Sequence, residues 1–121
     1  MRTVLIVEDE APLRELLVDL VEGAGYRAFQ AIHGRQALAL IEQERPDVVL
    51  SDVMMPVLNG AELCRLLKAQ PSTASIPVIL MSAAGPAIAD GAGADGFVDK
   101  PFELSELEAL LRRRLPPEPP E

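Results

Sequence analysis

The sequence has little cysteine and histidine, and each shortage excludes a class of site. With a single cysteine, Cys64, the chain cannot form an internal disulfide, and nothing indicates an oxidising compartment. One cysteine and one histidine cannot form the clustered Cys/His set that holds zinc. We interpret Cys64 as a small buried apolar residue. We interpret His33, which follows the second predicted strand, as a surface or loop residue.

Long apolar runs and basic clusters are also missing. No apolar run approaches the ~20 residues needed to span a bilayer, and no signal pattern precedes the first predicted strand. We therefore expect a cytoplasmic protein without membrane contact. A net charge of −8, with no basic cluster before Arg112, argues against nucleic acid as a direct ligand.

The length of 121 residues suits one domain with its own core. Short apolar runs typical of buried strands alternate with amphipathic segments. Strands are predicted at 3–7, 26–31, 48–50, 77–81 and 96–99, and helices at about 12–22, 35–44, 61–69 and 104–115. This alternation predicts an α/β fold, a doubly wound parallel sheet with helices on both faces. We expect residues 1–115 to form the domain, and residues 116–121, rich in Pro and Glu, to form a tail or the start of a linker.

The segment between the fourth and fifth strands departs from this regular pattern. Gly91 and Gly93 interrupt it, and each disfavours a helix by up to ~1 kcal/mol relative to alanine. Ile88 is the only large apolar residue available to offset that cost. We therefore predict that the fourth helix, expected here, is short or disordered.

Polar side chains follow four of the predicted strands: Glu8 and Asp9, Asp52, Ser82 and Lys100. Because the carboxyl ends of parallel strands meet at one edge of a sheet, these groups should converge there. Three carboxylates that share a site repel one another unless a cation joins them, and oxygen ligands suit Mg²⁺. Asp52, central in the sheet, is then the best candidate for a nucleophile that forms an acyl phosphate, with Ser82 and Lys100 contacting the phosphoryl oxygens.

Four segments carry a resemblance to a known family: VLIVEDE, SDVMMPVLNG, VILMSAA and GFVDKPF. With these segments in this order, the chain resembles the CheY-like receiver domains of two-component response regulators along essentially its whole length. The resemblance implies a flavodoxin-like, five-stranded sheet of order 2-1-3-4-5. It also implies phosphoryl transfer from a sensor histidine kinase or histidine phosphotransfer protein to Asp52, followed by a conformational switch that controls a downstream protein or a fused output domain. Such a domain is not an enzyme beyond catalysing its own phosphorylation and dephosphorylation.

The resemblance further implies a role for each residue of the acidic site. Asp52 is the expected phospho-acceptor. Asp9 and Asp52 would bind Mg²⁺ directly, with the Met54 backbone carbonyl as a third ligand and Glu8 acting through water. Lys100 would pair with the acceptor and then with the phosphoryl group.

Other roles implied by the resemblance concern the switch and the turns. Ser82 would move toward the phosphate, and Phe97 would turn inward with it, although a plain core aromatic also explains Phe97. Gly60 matches a small turn residue, and Pro101 a position where the family keeps a cis peptide bond.

The side chains at Met54 and Ala84 match positions that tune hydrolysis of the phosphoryl group. Neither can orient water by hydrogen bonding. We therefore hypothesise a long-lived phosphorylated state.

Two alternative functions stay open at this point. A phosphohydrolase using an aspartyl phosphate would carry a second Asp at position 54, where this chain has Met54, and would need a cap domain. A phosphorylation-independent interaction module usually loses the acceptor, the acidic pair or the lysine. All of these are kept here, with Glu8 a conservative change from Asp.

Overall fold

A computed structural model of the chain describes residues 1–115. The described part contains five strands, four α-helices and one 3₁₀ turn, in strict β–α alternation until the fourth strand. The strands are β1 (Thr3–Val7), β2 (Arg27–Ala31), β3 (Val48–Asp52), β4 (Val78–Ser82) and β5 (Gly96–Asp99). The helices are α1 (Ala11–Gly23), α2 (Gly34–Gln43), α3 (Gly60–Ala69) and α4 (Leu104–Arg114).

All five strands run parallel in one sheet of order β2-β1-β3-β4-β5, which confirms the predicted doubly wound topology. The inner strands β1, β3 and β4 are buried at every position, as expected of parallel strands that are apolar along most of their length. The edge strand β2 exposes Arg27 and Gln30 and fully buries only Ala31. Three of the four strands that carry candidate site residues therefore form the buried centre of the sheet, and the fourth, β5, lies at its edge.

Two hydrophobic clusters fill the two sides of the sheet. One contains buried residues of α2 and α3, among them Ile41, Cys64 and Leu67. The other contains buried residues of α1 and α4, among them Leu17 and Leu111. The helices therefore cover both faces, as predicted, and Cys64 is a fully buried core residue.

The segment between β4 and β5 forms only a four-residue 3₁₀ turn, Pro86–Ala89, which confirms that the fourth predicted helix is short. Gly85, Gly91 and Gly93 all adopt positive φ, a conformation incompatible with a continuous helix. A single 3₁₀ turn thus stands in place of the helix.

The predicted element ends agree with the structure to within one or two residues. Tyr26 was predicted to begin β2, but its N–H bonds to the Val21 carbonyl at the end of α1, and the strand starts at Arg27. Among residues 1–115, no helix combines the length and apolarity needed to cross a bilayer. The predicted tail or linker at 116–121 lies outside the described residues.

Candidate functional site

The strand register explains why the candidate residues meet. Val7 pairs with Ser51, so Glu8, one residue beyond β1, lies beside Asp52, the last residue of β3. Lys100, one residue beyond β5, donates its backbone N–H to the Ser82 carbonyl at 3.0 Å, which extends the β4–β5 pairing to this edge. The groups that end β3 and β4 and those that follow β1 and β5 thus lie together at the carboxyl edge of the sheet.

Three of these groups form one acidic cluster. Carboxylate oxygens of Glu8, Asp9 and Asp52 all lie within 4.8 Å of one another. Their exposure differs sharply: Glu8 is 0% and Asp52 4% exposed, whereas Asp9 faces solvent. The cluster therefore has a buried floor and an open acidic side.

Lys100 lies between the two buried carboxylates. Its Nζ is 3.2 Å from Glu8 Oε1 and 3.2 Å from Asp52 Oδ1. The peptide bond that follows it, Lys100–Pro101, is cis, as the resemblance implied. One ammonium group is thus shared between two carboxylates, with the third close by.

The pKa values of these groups reflect burial first and the neighbouring charges second. Burial raises the pKa of Glu8 from 4.5 to about 6, and the Asp52 charge adds to the effect, against the opposing Lys100 ammonium. Burial also raises the pKa of Asp52, outweighing its contacts with Lys100. The pKa of Lys100 is raised although burial opposes it, because Glu8 and Asp52 favour the charged ammonium. With three carboxylates beside one ammonium group, the negative charge exceeds what Lys100 neutralises.

Two contacts at Glu8 were not predicted from the sequence. The backbone N–H of Glu10 donates to Glu8 Oε2 at 3.1 Å, and Arg14 Nη1 donates to the Glu8 carbonyl at 2.9 Å. The first bond holds the Glu8 carboxylate at the floor of the site, and the second holds the Glu8 backbone. No sequence signal distinguishes Glu8 from Asp9 as the buried member, since both follow the strand directly.

The loop after β3 closes back onto the acceptor position. A Cβ added to Gly60 would lie 2.2 Å from the backbone oxygen of Asp52, so only glycine fits there. Asn59 forms a reciprocal capping box with Glu62 at the start of α3. The Asn-x-x-Glu spacing is a sequence signal for this helix start, which was predicted one residue later, at residue 61.

The proposed switch residues Ser82 and Phe97 lie on β4 and β5, and the proposed metal ligand Met54 lies two residues after Asp52. The buried Ser82 hydroxyl accepts the Ala84 backbone N–H at 3.0 Å. Phe97 is half-buried, packs against the α2–α3 side of the core, and lines a hollow of about 330 Å³ beside the 3₁₀ turn. The side chains of Met54, 58% exposed, and Ala84 face solvent. The switching roles of Ser82 and Phe97 and the metal-ligand role of the Met54 carbonyl stay predictions.

His33 lies outside the acidic cluster. Its Nδ1 accepts the Gln36 backbone N–H at 3.1 Å and thereby caps the start of α2. This is the structural loop role expected from the sequence.

The donor set fits a hard divalent cation. Three carboxylates converge, one of them open to solvent, and the single neighbouring ammonium leaves an excess of negative charge. A carboxylate held between a lysine and such a cation can act as a nucleophile toward a phosphoryl group. The site therefore combines an acceptor, a cation position and a fixed positive charge.

Comparison with known proteins agrees with this geometry. A family model described as the response regulator receiver domain matches residues 4–112. The phosphate regulon transcriptional regulatory protein PhoB of Pseudomonas aeruginosa is 40% identical over 95% of this chain. The match covers 54% of PhoB, so the chain spans about half the length of that relative.

Solved structures show the same fold. The receiver domain of a signal transduction histidine kinase from Syntrophus aciditrophicus superposes with a TM-score of 0.90 and 36% identity, covering 94% of this chain and 89% of that one. The chemotaxis protein CheY4 of Vibrio cholerae gives a TM-score of 0.87 and 33% identity, covering 95% and 99%. On this fold, this site and this family match, the chain belongs to the response regulator receiver domain family, whose members are phospho-accepting switches in two-component signalling.

Proposed function

We propose that Asp52 is the residue that accepts the phosphoryl group. The observation that carries this proposal is the position of its carboxylate: 4% exposed, 3.2 Å from the Lys100 ammonium, and clustered with two further carboxylates. Burying a carboxylate whose charge is not fully neutralised costs folding free energy, and such buried charged groups are typical of functional sites.

The neighbouring residues support the transfer in distinct ways. Asp9 and Asp52, with the Met54 carbonyl, would hold Mg²⁺, and Glu8 would act through water. Bound there, the metal ion supplies positive charge that offsets the charge of the incoming phosphoryl group. Lys100, already 3.2 Å from Asp52 Oδ1, neutralises charge on the same group from the protein side.

The transfer itself exchanges one bond to phosphorus for another. As an Asp52 carboxylate oxygen bonds to phosphorus, the P–N bond of a donor phosphohistidine breaks, and its ring nitrogen keeps the electron pair. Hydrolysis of the acyl phosphate restores the carboxylate. The domain thus catalyses only its own phosphorylation and dephosphorylation and is not an enzyme toward other substrates.

Signalling would follow from a shift between two conformers of the carboxyl edge. New phosphoryl contacts to Ser82 and Lys100 favour the conformer in which Phe97 turns inward. Ser82 ends β4 and Phe97 lies on the adjacent β5, so a movement of one can be passed to the other.

The domain and its partners follow from the same assignment. Residues 1–115 form the receiver, and a sensor histidine kinase or phosphotransfer protein is the donor. The output lies in a downstream protein or a fused domain, because a net charge of −8 disfavours direct contact with nucleic acid. A cytoplasmic location, expected from the sequence, belongs to this proposal.

Intact-mass spectrometry after incubation with acetyl phosphate and Mg²⁺ tests the acceptor assignment. We expect one alkali-labile phosphoryl adduct on the wild-type chain, lost when Mg²⁺ is chelated and lost in Asp52→Asn. Asp19→Asn, which changes an exposed carboxylate on α1, is the matched control and should be labelled like the wild type.

Labelling of Asp52→Asn at the wild-type rate would contradict the assignment. Failure to label the wild type, under conditions that label another receiver, would favour the phosphorylation-independent interaction module.

A further inference from the structure

Arg14 is the one basic residue of α1, and its side chain reaches back to the end of β1. Its Nη1 donates to the backbone carbonyl of Glu8 at 2.9 Å, six residues earlier in the chain. That is farther along the chain than a backbone hydrogen bond within a helix reaches. The contact therefore joins the first turn of the helix to the strand before it.

The start of α1 differs from the starts of α2 and α3, which lie at the same edge of the sheet. His33 caps α2 and Asn59 caps α3, each by accepting a backbone N–H of the first turn. In α1, the side chain of the N-cap residue Glu10 forms no such bond within the described chain. The bond from Arg14 thus fixes the helix start to the preceding chain, as the caps do in α2 and α3.

The loop between β1 and α1 carries two of the three carboxylates of the site. The Glu8 N–H donates to the Ala31 carbonyl at 3.0 Å, which continues the pairing of β1 with β2. The Glu8 carboxylate accepts the Glu10 N–H, and its carbonyl accepts Arg14. The exposed Asp9 carboxylate, by contrast, accepts no hydrogen bond from residues 1–115. The position of Asp9 therefore depends on the backbone that leads into it.

The carbonyl that Arg14 holds belongs to the peptide unit between Glu8 and Asp9. Because a peptide unit is planar, a bond that fixes its oxygen also fixes the direction in which the chain enters Asp9. Without a cation, the three carboxylates repel one another, and the exposed Asp9 is the one that can be displaced toward solvent. The bond from Arg14 opposes this displacement and keeps the carboxylates together.

We propose that Arg14 is a positioning residue of the cation site, which holds the Glu8–Asp9 peptide unit and touches neither the cation nor the phosphoryl group. The inference rests on the proposed function, in which Asp9 binds Mg²⁺ directly. A site whose ligands already converge binds its cation more tightly, because less free energy is lost in ordering them. Replacement of a residue that orients metal ligands typically weakens metal binding by about 10- to 100-fold.

A positioning role and a charge effect predict opposite changes in cation affinity. The guanidinium of Arg14 is positive, so by charge alone it repels a divalent cation, and its removal would strengthen cation binding. Loss of a positioning bond weakens cation binding instead. A purely structural role would lower the free energy of unfolding without changing the cation affinity of the folded protein. The direction of the change therefore identifies the role.

The test measures the binding of Mn²⁺, which takes the same oxygen ligands as Mg²⁺, by the electron paramagnetic resonance signal of the unbound ion. Arg14→Met keeps a long side-chain stem and removes the guanidinium, and we expect it to bind Mn²⁺ about tenfold more weakly than the wild type. Arg14→Ala, a better helix former, should match it. Arg14→Lys keeps a charged donor and should bind within about threefold of the wild type.

Labelling by acetyl phosphate provides a second measurement on the same variants. In Arg14→Met, the Mg²⁺ concentration that gives half-maximal labelling should rise by about tenfold. The rate at saturating Mg²⁺ should stay within about twofold of the wild type, because Asp52 and Lys100 keep their contact. A lower rate at saturating Mg²⁺ with an unchanged Mg²⁺ dependence would contradict the positioning role.

Arg35→Met is the matched control. Arg35 is an exposed arginine in the first turn of α2, at the same edge of the sheet, and within residues 1–115 it forms no hydrogen bond with the acidic cluster. It should change Mn²⁺ affinity by less than about twofold, since an exposed charge is screened. Unchanged or tighter binding in Arg14→Met would overturn the inference, and so would an equal loss in Arg35→Met. Failure of the proposed function is distinct, because the wild type would then bind Mn²⁺ without being labelled by acetyl phosphate.

Discussion

Two carboxylate–lysine contacts lie at opposite ends of the same sheet. At the carboxyl end, Lys100 Nζ is 3.2 Å from Asp52 Oδ1, and at the amino end Lys68 Nζ is 2.7 Å from Asp95 Oδ2. The chemical groups are identical, yet the pKa of Asp52 is raised, whereas that of Asp95 is lowered. For Asp95, burial opposes the shift, but the Lys68 hydrogen bond and the Val78 N–H outweigh it.

The difference follows first from burial, since the Asp52 side chain is 5% exposed and that of Asp95 34%, and second from how fully each charge is matched. Lys68 donates to Asp95 and to the carbonyls of Ala74 and Ile76, and Asp95 also accepts the Val78 N–H, so both charges are satisfied. At the other end, one ammonium group serves two buried carboxylates with a third nearby. A balanced pair of this kind joins α3, β4 and β5, whereas an unbalanced cluster is prepared to bind a cation and a phosphoryl group.

The largest effect on stability should come from Gly60→Ala, which disturbs the backbone at the carboxyl end of the sheet. The added methyl group would lie 2.2 Å from the Asp52 backbone oxygen, so the loop or β3 must shift. We expect a loss of about 3 kcal/mol or more in the free energy of unfolding, measured by urea denaturation, together with loss of the phosphoryl adduct.

Gly23→Ala is its control, because a Cβ at Gly23 meets no atom within 4 Å. This variant, at the end of α1, should be as stable as the wild type or more stable by up to ~1 kcal/mol. Wild-type stability in Gly60→Ala would mean that the loop is not held against the acceptor.

Glu8→Gln sharpens the comparison by removing a buried charge from the unbalanced end. The folded pKa of Glu8 is about 6, above its ordinary 4.5. Because the folded state prefers protonated Glu8, this group stabilises the fold fully below pH 4.5, and the stabilisation is lost as the pH rises through 6. In chelator at pH 7.5, we expect Glu8→Gln to be more stable than the wild type by about 2 kcal/mol in urea denaturation, with no difference near pH 4. Lower stability at pH 7.5 would show that Glu8–Lys100 is a structural pair like Lys68–Asp95.

Asp95→Asn tests the balanced end and should lower the free energy of unfolding, the opposite of the effect expected for Glu8→Gln. Loss of the carboxylate leaves the Lys68 ammonium without its counter-charge, at a cost of about 1–2 kcal/mol at pH 7, reduced by partial exposure. The folded pKa of Asp95 lies below its ordinary 3.8. The ionised carboxylate therefore stabilises the fold above pH 3.8, and this stabilisation is lost as the pH falls through the folded pKa. Urea denaturation from pH 3 to pH 7 should therefore show the difference shrinking toward acid.

Glu44→Gln serves as control for that measurement, since the Arg27–Glu44 pair is half-exposed, with 3.6 Å between its charged atoms. It should change stability by less than about 0.5 kcal/mol. An equally small effect in Asp95→Asn would remove the contrast between the two ends.

The smallest effect concerns the rate of dephosphorylation at the open side of the carboxyl end. Met54 and Ala84 are both exposed and cannot orient water by hydrogen bonding. With polar residues at both positions, as in Met54→Asn with Ala84→Thr, loss of the phosphoryl adduct followed by mass spectrometry should be faster by a factor of about ten. A wild-type half-life no longer than that of the double variant would contradict the hypothesis of a long-lived phosphorylated state.

Much of the fold could be predicted because local patterns agreed with it. Uninterrupted apolar runs identified the buried strands, and glycines with few apolar neighbours identified the shortened segment before β5. The polar residues directly after the strands marked the site, since parallel strands bring their carboxyl ends to one edge. Helix starts were less certain: the structure places Gly34 and Gly60 inside α2 and α3, because His33 and Asn59 cap those helices.

The sequence by itself thus determined the parallel sheet, the two covered faces and the set of groups at the carboxyl edge. Only the tertiary structure decided that Glu8 is buried while Asp9 is exposed, that Lys68 pairs with Asp95, and that Val57 adopts a positive φ. The physical reason is that these features depend on contacts between distant residues, such as Glu8 and Lys100, which are 92 positions apart. Strand register and loop closure set such contacts, and no local pattern of residues encodes them.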